Sequence, residues 1–237
     1  METLNPKYKR VLLKLSGEAL AAGSDGILNF DFIHSIAKVL RQCVDAGVQI
    51  GVIVGAGNIW RGRQGGKMDR VRADSMGMLA TTINALALQD TFIQEGVPTK
   101  VMTAVEMQTF ADRYVTRDAV RAMEEGNVVI FGCGLGAPYF STDTAAVLRA
   151  AEINADVILL AKNIDGVYEA DPKLVPDAKK FDEISYSEVL AKRLAVMDST
   201  ATSLSMDNSI PILLFALQDP ENIYRVIMGE KIGTKVY

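Results

Sequence analysis

The sequence has few of the residues on which several classes of site depend. It holds two cysteines in 237 residues, Cys43 and Cys133, and they lie too far apart for a disulfide framework or a zinc site. His34 is the only histidine, which disfavours Ser-His-Asp catalysis and multi-histidine metal centres. We therefore expect two buried thiols in a reducing compartment and no metal site built from side chains.

Long apolar runs and a surplus of basic residues are also missing. No apolar run reaches the roughly 18 residues that a membrane span needs, and the first ten residues do not resemble a signal peptide. The 25 basic and 29 acidic residues give a net charge of −4, which disfavours a sequence-independent nucleic-acid binder. We expect a cytoplasmic protein without a membrane or nucleic-acid partner, in which any anion site is local.

The sequence instead shows apolar strands that alternate with helical patterns. The predicted strands are Val11–Leu15, Gln49–Val54, Lys100–Thr103, Asn127–Phe131, Val157–Ala161 and Pro211–Ala216. The predicted helices are Asn29–Ala46, Val71–Glu95, Thr116–Glu125 and Thr142–Ile153, with Asn29 and Thr116 as N-caps. This alternation predicts an α/β fold with a mainly parallel sheet covered on both faces. No linker or repeat interrupts it, so we predict a single domain over residues 1–237.

The segment after the fifth strand departs from the alternation. Asp165-Gly166 is a hairpin-type turn signal, and Val167-Tyr168 follows it. We predict a hairpin and an irregular loop at one end of the sheet. The tail, Lys231 to Tyr237, is predicted to form a last short strand.

Glycine-rich segments follow three of the strands, with the sequences KLSGE (14–18), VGAGNIWRG (54–62) and FGCGLGAPYFSTDT (131–144). Ligands of parallel sheets bind beyond the carboxyl ends of the strands, where glycine lets the backbone approach a phosphate. One such loop is weak evidence, because glycine also makes tight turns. Three loops at one edge favour a cleft for a ligand with several phosphates.

Two common phosphate-binding motifs do not fit. Gly66-Lys67 is followed by Met68, and the spacing of a P-loop is not met. Gly132, Gly134 and Ala137 satisfy G-x-G-x-x-A formally, but no helix opens there directly and the acidic residue expected about 20 residues later is missing. A dinucleotide-binding dehydrogenase is therefore disfavoured.

Charged residues lie beside these loops. Lys14 is either a lysine at the margin of the core, with its ammonium in water, or a point charge that reaches into a phosphate cleft. If its ammonium is buried, we expect an anionic partner, because an unpaired buried charge is strongly destabilising. Arg61 is the candidate for a bidentate phosphate contact, while Arg63, Lys67 and Arg72 are interpreted as solvated.

Two further groups have alternative interpretations. Asp74 is either a first-turn acid favoured by the helix dipole or a hydrogen-bond acceptor for a ribose. The cluster Ser141 to Asp143 is either a set of helix caps or a site in which the hydroxyls hold a phosphate and Asp143 pairs with Lys14 or a metal ion.

Taken together, these motifs resemble the bacterial UMP kinases, which have the amino-acid-kinase fold. The resemblance runs from about Tyr8 to the end of the chain. It rests on segments 7–20, 57–62, 68–81, 138–156, 165–172 and 196–208.

The resemblance implies a three-layer α/β/α sandwich with an eight-stranded, mainly parallel sheet, assembled as a homohexamer. It implies phosphoryl transfer from ATP to UMP in pyrimidine nucleotide synthesis, with Mg²⁺ bound mainly through the ATP phosphates. It also implies allosteric control by GTP and UTP.

The resemblance also implies roles for individual residues. At the ATP site it places Lys14, Leu15, Ser16, Gly17, Gly57, Arg61, Lys162, Tyr168 and Asp171. At the UMP site it places Gly55, Ala56, Asp74, Leu135, Gly136, Ala137, Pro138, Tyr139, Phe140, Ser141 and Thr142. Lys14, Arg61 and Asp143 are the implied catalytic residues, with Asp143 orienting Lys14 so that its ammonium neutralises the phosphoryl group in transfer.

Three departures from the family pattern bear on this expectation. Ala56 stands where the family usually has glycine, and Leu135 and Ala137 stand where it often has threonine and asparagine. The segment after Ala161 is one residue shorter than in many relatives, which affects the alignment of Lys162. Two other readings stay open: a kinase of another small acceptor, and a non-catalytic nucleotide-binding regulator or storage protein.

Overall fold

The computed structural model describes residues 5–61, 66–172, 174–194 and 196–237. Its strands are β1 Arg10–Leu15, β2 Gln49–Val54, β3 Thr99–Thr103, β4 Asp112–Arg113, β5 Val128–Gly132, β6 Val157–Lys162, β7 Val167–Tyr168, β8 Lys180–Phe181, β9 Glu183–Ile184, β10 Ile212–Ala216 and β11 Thr234–Val236. Its helices are α1 Gly17–Ala21, α2 Phe30–Asp45, α3 Arg70–Gln94, α4 Thr116–Glu124, α5 Thr142–Glu152, α6 Tyr186–Ala191, α7 Ser199–Asp207 and α8 Glu221–Ile227.

A single large sheet carries nine of these strands in the order β4-β3-β5-β2-β1-β6-β10-β11-β9. Its strands pair in parallel except for the antiparallel pair β10–β11, so the predicted mainly parallel sheet is confirmed. The count is nine rather than the expected eight because two-residue strands, β4 and β9, extend the edges. The central strand β1 lies between β2 and β6.

Helices cover both faces of the sheet, which confirms the three-layer sandwich. Val11, Leu13 and Leu15 face the core layer shared with α2, α3 and α8, while Leu12 faces the layer shared with α4, α5 and α7. Since successive side chains of a strand point to opposite faces, Lys14 is on the same face as Leu12. The ammonium is therefore directed toward the α5 side of the sheet.

One local prediction was wrong. Thr116 is the first residue of α4 rather than its cap: Val115 occupies the N-cap position without a side-chain hydrogen bond. The predicted hairpin is present: Val167-Tyr168 pairs antiparallel with Lys180-Phe181 in a separate two-stranded sheet. These strands do not join the large sheet through β6, because β6 lies between β1 and β10 and both of its edges are already paired. The predicted cap Asn29 and the predicted terminal strand are confirmed.

Within the described ranges, no helix is both long enough and apolar enough to cross a membrane.

Candidate functional site

A buried ion pair lies where β1 ends. Lys14 is 8% exposed, and its Nζ atom is 2.9 Å from Oδ1 of Asp143, the second residue of α5. A buried ammonium without a partner is strongly destabilising, so the carboxylate accounts for a lysine in an otherwise apolar strand. The contact is a charge interaction rather than an aligned hydrogen bond. The structure thus brings together two of the predicted catalytic residues.

The three glycine-rich loops meet around this pair, as their parallel strands predicted. A Cβ atom on Gly17 would lie 2.7 Å from the carbonyl oxygen of Gly55 and 2.8 Å from the nitrogen of Gly57, so only glycine allows this backbone contact. A Cβ on Gly55 would lie 3.8 Å from the hydroxyl of Thr142, in the third loop. The loops after β1, β2 and β5 therefore form one continuous surface.

Two cavities open beside this surface. The large cavity, of about 930 Å³, is lined on the sequence-predicted ATP side by Lys14, Ser16, Lys162, Tyr168 and Asp171. The small cavity, of about 240 Å³, is lined by Ala56, Gly57, Arg61, Asp74, Leu135, Ala137, Phe140, Ser141 and Thr142 among others. Most of the predicted ATP and UMP residues thus fall into two separate groups, with Gly57 and Arg61 on the small-cavity side.

Several predicted residues border these cavities without lining them. The Leu15 side chain is fully buried in the core with Leu13, so only its backbone is available at the site. Gly17 is the first residue of α1, and Gly55, Gly136, Pro138 and Tyr139 lie in the loops after β2 and β5. Tyr139 has a positive φ of 71° and is 65% exposed.

Arg61 lies between the two cavities. Its guanidinium forms an ion pair with Glu18, which lines the large cavity, whereas Arg61 lines the small one. Of the basic residues interpreted as solvated, Lys67 and Arg72 are exposed, and Arg63 lies outside the described residues. A role for Arg61 as a phosphate contact stays a prediction.

Asp74 joins α3 to the third glycine-rich loop. Its Oδ2 atom accepts hydrogen bonds from Arg70 Nε and from the backbone N–H of Tyr139, both at 2.8 Å. Asp74 is the fifth residue of α3, and the first turn of that helix carries no acid, so the helix-dipole interpretation was wrong. Its carboxylate lies in the wall of the small cavity instead.

The start of α5 has an N-cap and is also hydrogen-bonded to Asp198. Ser141 is the N-cap, and its Oγ atom accepts from the backbone N–H of Thr144 at 3.0 Å, as the capping interpretation predicted. The Ser141 hydroxyl also donates to Asp198, and Thr144 Oγ1 donates to the same carboxylate at 3.3 Å. Asp198 in turn caps α7 by accepting from Ala201 N–H at 2.9 Å.

Asp198 is a residue that sequence reasoning missed as part of this site. The sequence Asp198-Ser199 before a helical segment indicates an N-cap, but not a partner 57 residues away. Only the packing of α5 against α7 brings the carboxylate to Ser141.

The large cavity has its own charged groups. Lys162 Nζ donates to the carbonyl of Val196, and burial lowers the pKa of Lys162; Asp143 opposes this shift and Lys14 adds to it. Tyr168 donates to Asp165 Oδ1 at 2.8 Å, and that bond raises the pKa of Tyr168. Lys180 Nζ contacts the same carboxylate at 3.1 Å. The loop from residue 163 to 172 is thereby held at the mouth of the cavity.

One side of the small cavity is largely apolar. Met78, Leu135, Ala137 and Phe140 line it. Thr81 also lines it, but its Oγ1 atom donates to Met78 O at 2.7 Å and accepts from Cys133 N–H at 2.9 Å. These residues therefore leave few free side-chain hydrogen-bonding groups in this part of the lining, in line with the departures at positions 135 and 137.

The arrangement matches known proteins along nearly the whole chain. Residues 9–227 match the amino acid kinase family. The chain is similar to the UMP kinase of Bacillus anthracis, at 37% identity and a TM-score of 0.93 over 97% of this chain and 96% of that one. The UMP kinase of Ureaplasma parvum gives 36% identity and a TM-score of 0.91, covering 97% and 99% of the two chains.

A more distant structure shares the same fold. The uridylate kinase of Archaeoglobus fulgidus is 27% identical, with a TM-score of 0.74 over 96% of this chain and 99% of that one. With a family match over most of its length and two relatives above 30% identity, the chain belongs to the amino acid kinase family.

Proposed function

We propose that this chain is a UMP kinase, which transfers the γ-phosphoryl group of ATP to UMP and yields ADP and UDP. The observation that carries the proposal is the buried Lys14–Asp143 pair at the junction of three glycine-rich loops, between a large and a small cavity. The similarity to UMP kinases over nearly the full length supports the choice of acceptor.

In this proposal ATP occupies the large cavity. Lys14 and the backbone of Leu15, Ser16 and Gly17 face its phosphates, with Gly57 and Arg61 beside them. Tyr168 and Asp171, at the far side of the cavity, contact the adenosine, and Lys162 provides a further nucleotide contact.

UMP occupies the small cavity. The loop residues Gly55 and Ala56 face its phosphate, and Asp74 faces its ribose. The remaining walls are Leu135, Gly136, Ala137, Pro138, Tyr139, Phe140, Ser141 and Thr142. A volume of about 240 Å³ fits a mononucleotide better than a nucleoside triphosphate.

The chemistry requires positioning and charge stabilisation rather than a strong base. An oxygen of the UMP phosphate, already ionised at neutral pH, attacks the γ-phosphorus, and the bond to the β-phosphate oxygen breaks to release ADP. Lys14 and Arg61 stabilise the negative charge that is shared between the two nucleotides, and Asp143 fixes the ammonium of Lys14.

Mg²⁺ would enter with ATP. Among the described residues, no three histidine, cysteine or acidic side chains are grouped as metal ligands, whereas Mg²⁺ commonly binds phosphate oxygens and retains water. The ATP phosphates would then be its main ligands, and the ion would neutralise part of their charge.

Assembly and regulation follow as parts of the same proposal. The outward face of α3 exposes Met76, Leu79, Ile83 and Ile93, which are 39–53% exposed. Such a run of apolar side chains is typical of an interface, and we assign it to contacts between copies in a homohexamer. GTP and UTP act as allosteric effectors in this proposal. Residues 1–237 act as one domain, in the cytoplasm, where ATP and UMP are available for pyrimidine nucleotide synthesis.

The test is ADP release from ATP and Mg²⁺ with UMP, CMP, dUMP, AMP, glutamate and aspartate offered separately. Turnover confined to UMP is the expected result. Equal turnover with CMP would locate relaxed selectivity in the apolar side of the small cavity, at Leu135 and Ala137. Turnover only with glutamate or aspartate would overturn the choice of acceptor, and UMP binding without turnover would favour a regulator or storage role.

A further inference from the structure

Two asparagine side chains join the loop after β2 to helix α3. Asn84 is fully buried in the middle of α3, where asparagine is a poor helix former, and Asn58 lies in the loop. Their amides bond reciprocally: Asn84 Nδ2 donates to Asn58 Oδ1 at 2.8 Å, and Asn58 Nδ2 donates to Asn84 Oδ1 at 3.0 Å. A buried, reciprocal amide pair indicates a constraint that helix propensity does not explain.

The same amides also bind the backbone on either side. Asn84 Nδ2 donates to the carbonyl of Gly55 at 2.8 Å, and Asn58 Nδ2 donates to the carbonyl of Ile27 at 2.6 Å. Each side chain thus uses its NH₂ group twice and its oxygen once. A satisfied polar network of this kind rigidifies the segments it joins, here α3, the loop after β2 and the segment before α2.

The bond to Gly55 has a consequence for the next peptide N–H. In a planar trans peptide, the carbonyl of one residue and the N–H of the next point in opposite directions. With the Gly55 carbonyl held toward Asn84, the N–H of Ala56 is turned away from α3. Ala56 and Gly57 both line the small cavity, and among the described residues neither N–H has a hydrogen-bond acceptor.

We propose that the Asn58–Asn84 pair is a positioning unit that presents the N–H group of Ala56 to the phosphate of the acceptor nucleotide. A free backbone N–H group in a loop is a fixed donor for an anion. Neither asparagine touches the reacting atoms; both act through the backbone. The inference rests on the proposed function, because it takes the acceptor to be UMP.

The position of Asn84 on α3 supports this role. Asp74, Met78, Thr81 and Asn84 follow one another at spacings of four, three and three residues, so they share one face of the helix. The first three line the small cavity, and Asn84 continues that face beneath the loop. One rigid helix therefore sets both the wall of the cavity and the direction of its backbone donor.

The test compares UMP with uridine, which differ only in the phosphate. Affinities of the full chain for both are measured by calorimetry or ligand-observed NMR, for the unsubstituted protein and for Asn84→Leu. Losing the amide misdirects a donor that contacts only the phosphate, so we expect the affinity advantage of UMP over uridine to fall about tenfold or more. Uridine affinity should change less than about twofold, within the effect of a distant substitution.

A matched control separates this role from general loosening of the fold. Asn222 is 9% exposed in α8, and its Nδ2 atom donates to the carbonyl of Ala216 at the end of β10, at 3.1 Å. Asn222→Leu removes a comparable amide–carbonyl bond away from the small cavity. It should lower thermal stability as Asn84→Leu does, but leave the ratio of UMP to uridine affinity unchanged.

Four results would decide against the inference or its basis. A ratio unchanged in Asn84→Leu overturns the positioning role, as does an equal loss of ratio in Asn222→Leu. Where Asn84→Leu fails to fold, Asn58→Ala serves instead, with an expected fall of about threefold because Asn84 keeps its bond to Gly55; no fall overturns the role. A full-length protein that phosphorylates no UMP contradicts the proposed function itself, whatever the ratios.

Discussion

The two cavities are built differently, although both lie close to the Lys14–Asp143 pair. Lys14 lines the large cavity, and Thr142, the residue before Asp143, lines the small one. The small cavity is enclosed by segments that are hydrogen-bonded to one another: Asp74 binds the backbone of residue 139, and Ser141 binds Asp198. The large cavity is bordered by the segment after β6, which is held by the β7–β8 pair, by the bond from Val167 N–H to Thr234 Oγ1 and by the contact of Lys180 with Asp165. The small cavity is thus fixed by helices and loops that bond to one another, and the large cavity by one segment beyond the end of a central strand.

Two lysines show the same contrast at the level of single charges. Lys14 and Lys162 end neighbouring parallel strands, β1 and β6. Lys14 has a carboxylate at 2.9 Å, whereas Lys162 bonds to a carbonyl and its pKa is lowered by burial. The comparison teaches that a carboxylate compensates the charge of Lys14, whereas burial disfavours the charged form of Lys162.

The largest effect should come from the lysine at the junction of the three glycine-rich loops. Lys14→Ala removes the principal charge stabiliser, so we expect kcat for ADP formation to fall about 100-fold or more. Steady-state kinetics measure this, and Lys38→Ala, an exposed lysine on α2, serves as the control with normal turnover. Near-normal kcat in Lys14→Ala would remove Lys14 from the mechanism.

An effect confined to the small cavity is expected next. Asp74→Asn removes the charge that holds Arg70 and weakens the bond to residue 139, so KM for UMP should rise about tenfold. Because this carboxylate does not reach the large cavity, KM for ATP and kcat should change much less. If KM rises equally for both nucleotides, the separation of the two sides is wrong.

The smallest effect is expected in the large cavity, where a substitution should raise the stability of the fold rather than lower it. Lys162→Met removes an amine that is disfavoured in its charged form by burial. We expect the melting temperature to rise by about 2–4 °C for each kcal/mol added to the free energy of unfolding. KM for ATP should rise a few-fold. A lower melting temperature would show that the bond to Val196 outweighs desolvation.

The pH dependence of stability provides a second readout for the same lysine. The pKa of Lys162 in the folded protein lies below the ordinary value of 10.5. At a pH between the folded-state pKa and 10.5, the unfolded chain therefore binds more protons than the folded protein. Stability of the unsubstituted protein should therefore rise with pH across that window, and this contribution should be missing in Lys162→Met. Thermal melts at several alkaline pH values measure the difference.

Particular elements show how far the sequence predicts the fold. Six of the nine strands of the large sheet were placed to within a residue or two, because continuous apolar runs flanked by glycine have few alternatives. The two-residue strands β4 and β9 were not predicted, since so short a segment carries no periodic pattern. The hairpin after β6 was predicted, but the turn signal does not identify Lys180-Phe181 as the partner of Val167-Tyr168. The cap of α4 was misplaced because Thr116 and Val115 differ by one position, and a threonine near a helix start suits either.

Some residues of the candidate site could likewise be identified from the sequence, and others could not. Lys14 and Arg61 stand out in the sequence. Lys14 is a charged residue within an apolar run, and Arg61 follows a glycine-rich segment. Asp198 and Asn84 do not, since each resembles an ordinary cap or helical polar residue until its distant partner is known.

The sequence by itself determined the α/β alternation, the glycine-rich strand ends and the lysine in a buried strand, because each is a local pattern with a local physical cause. Only the tertiary structure decided which carboxylate neutralises Lys14, which loops enclose each cavity and which amides orient the loop after β2. Those contacts join residues from 26 to more than 100 positions apart, and the packing of helices on a sheet, rather than any local preference, brings them within hydrogen-bonding distance.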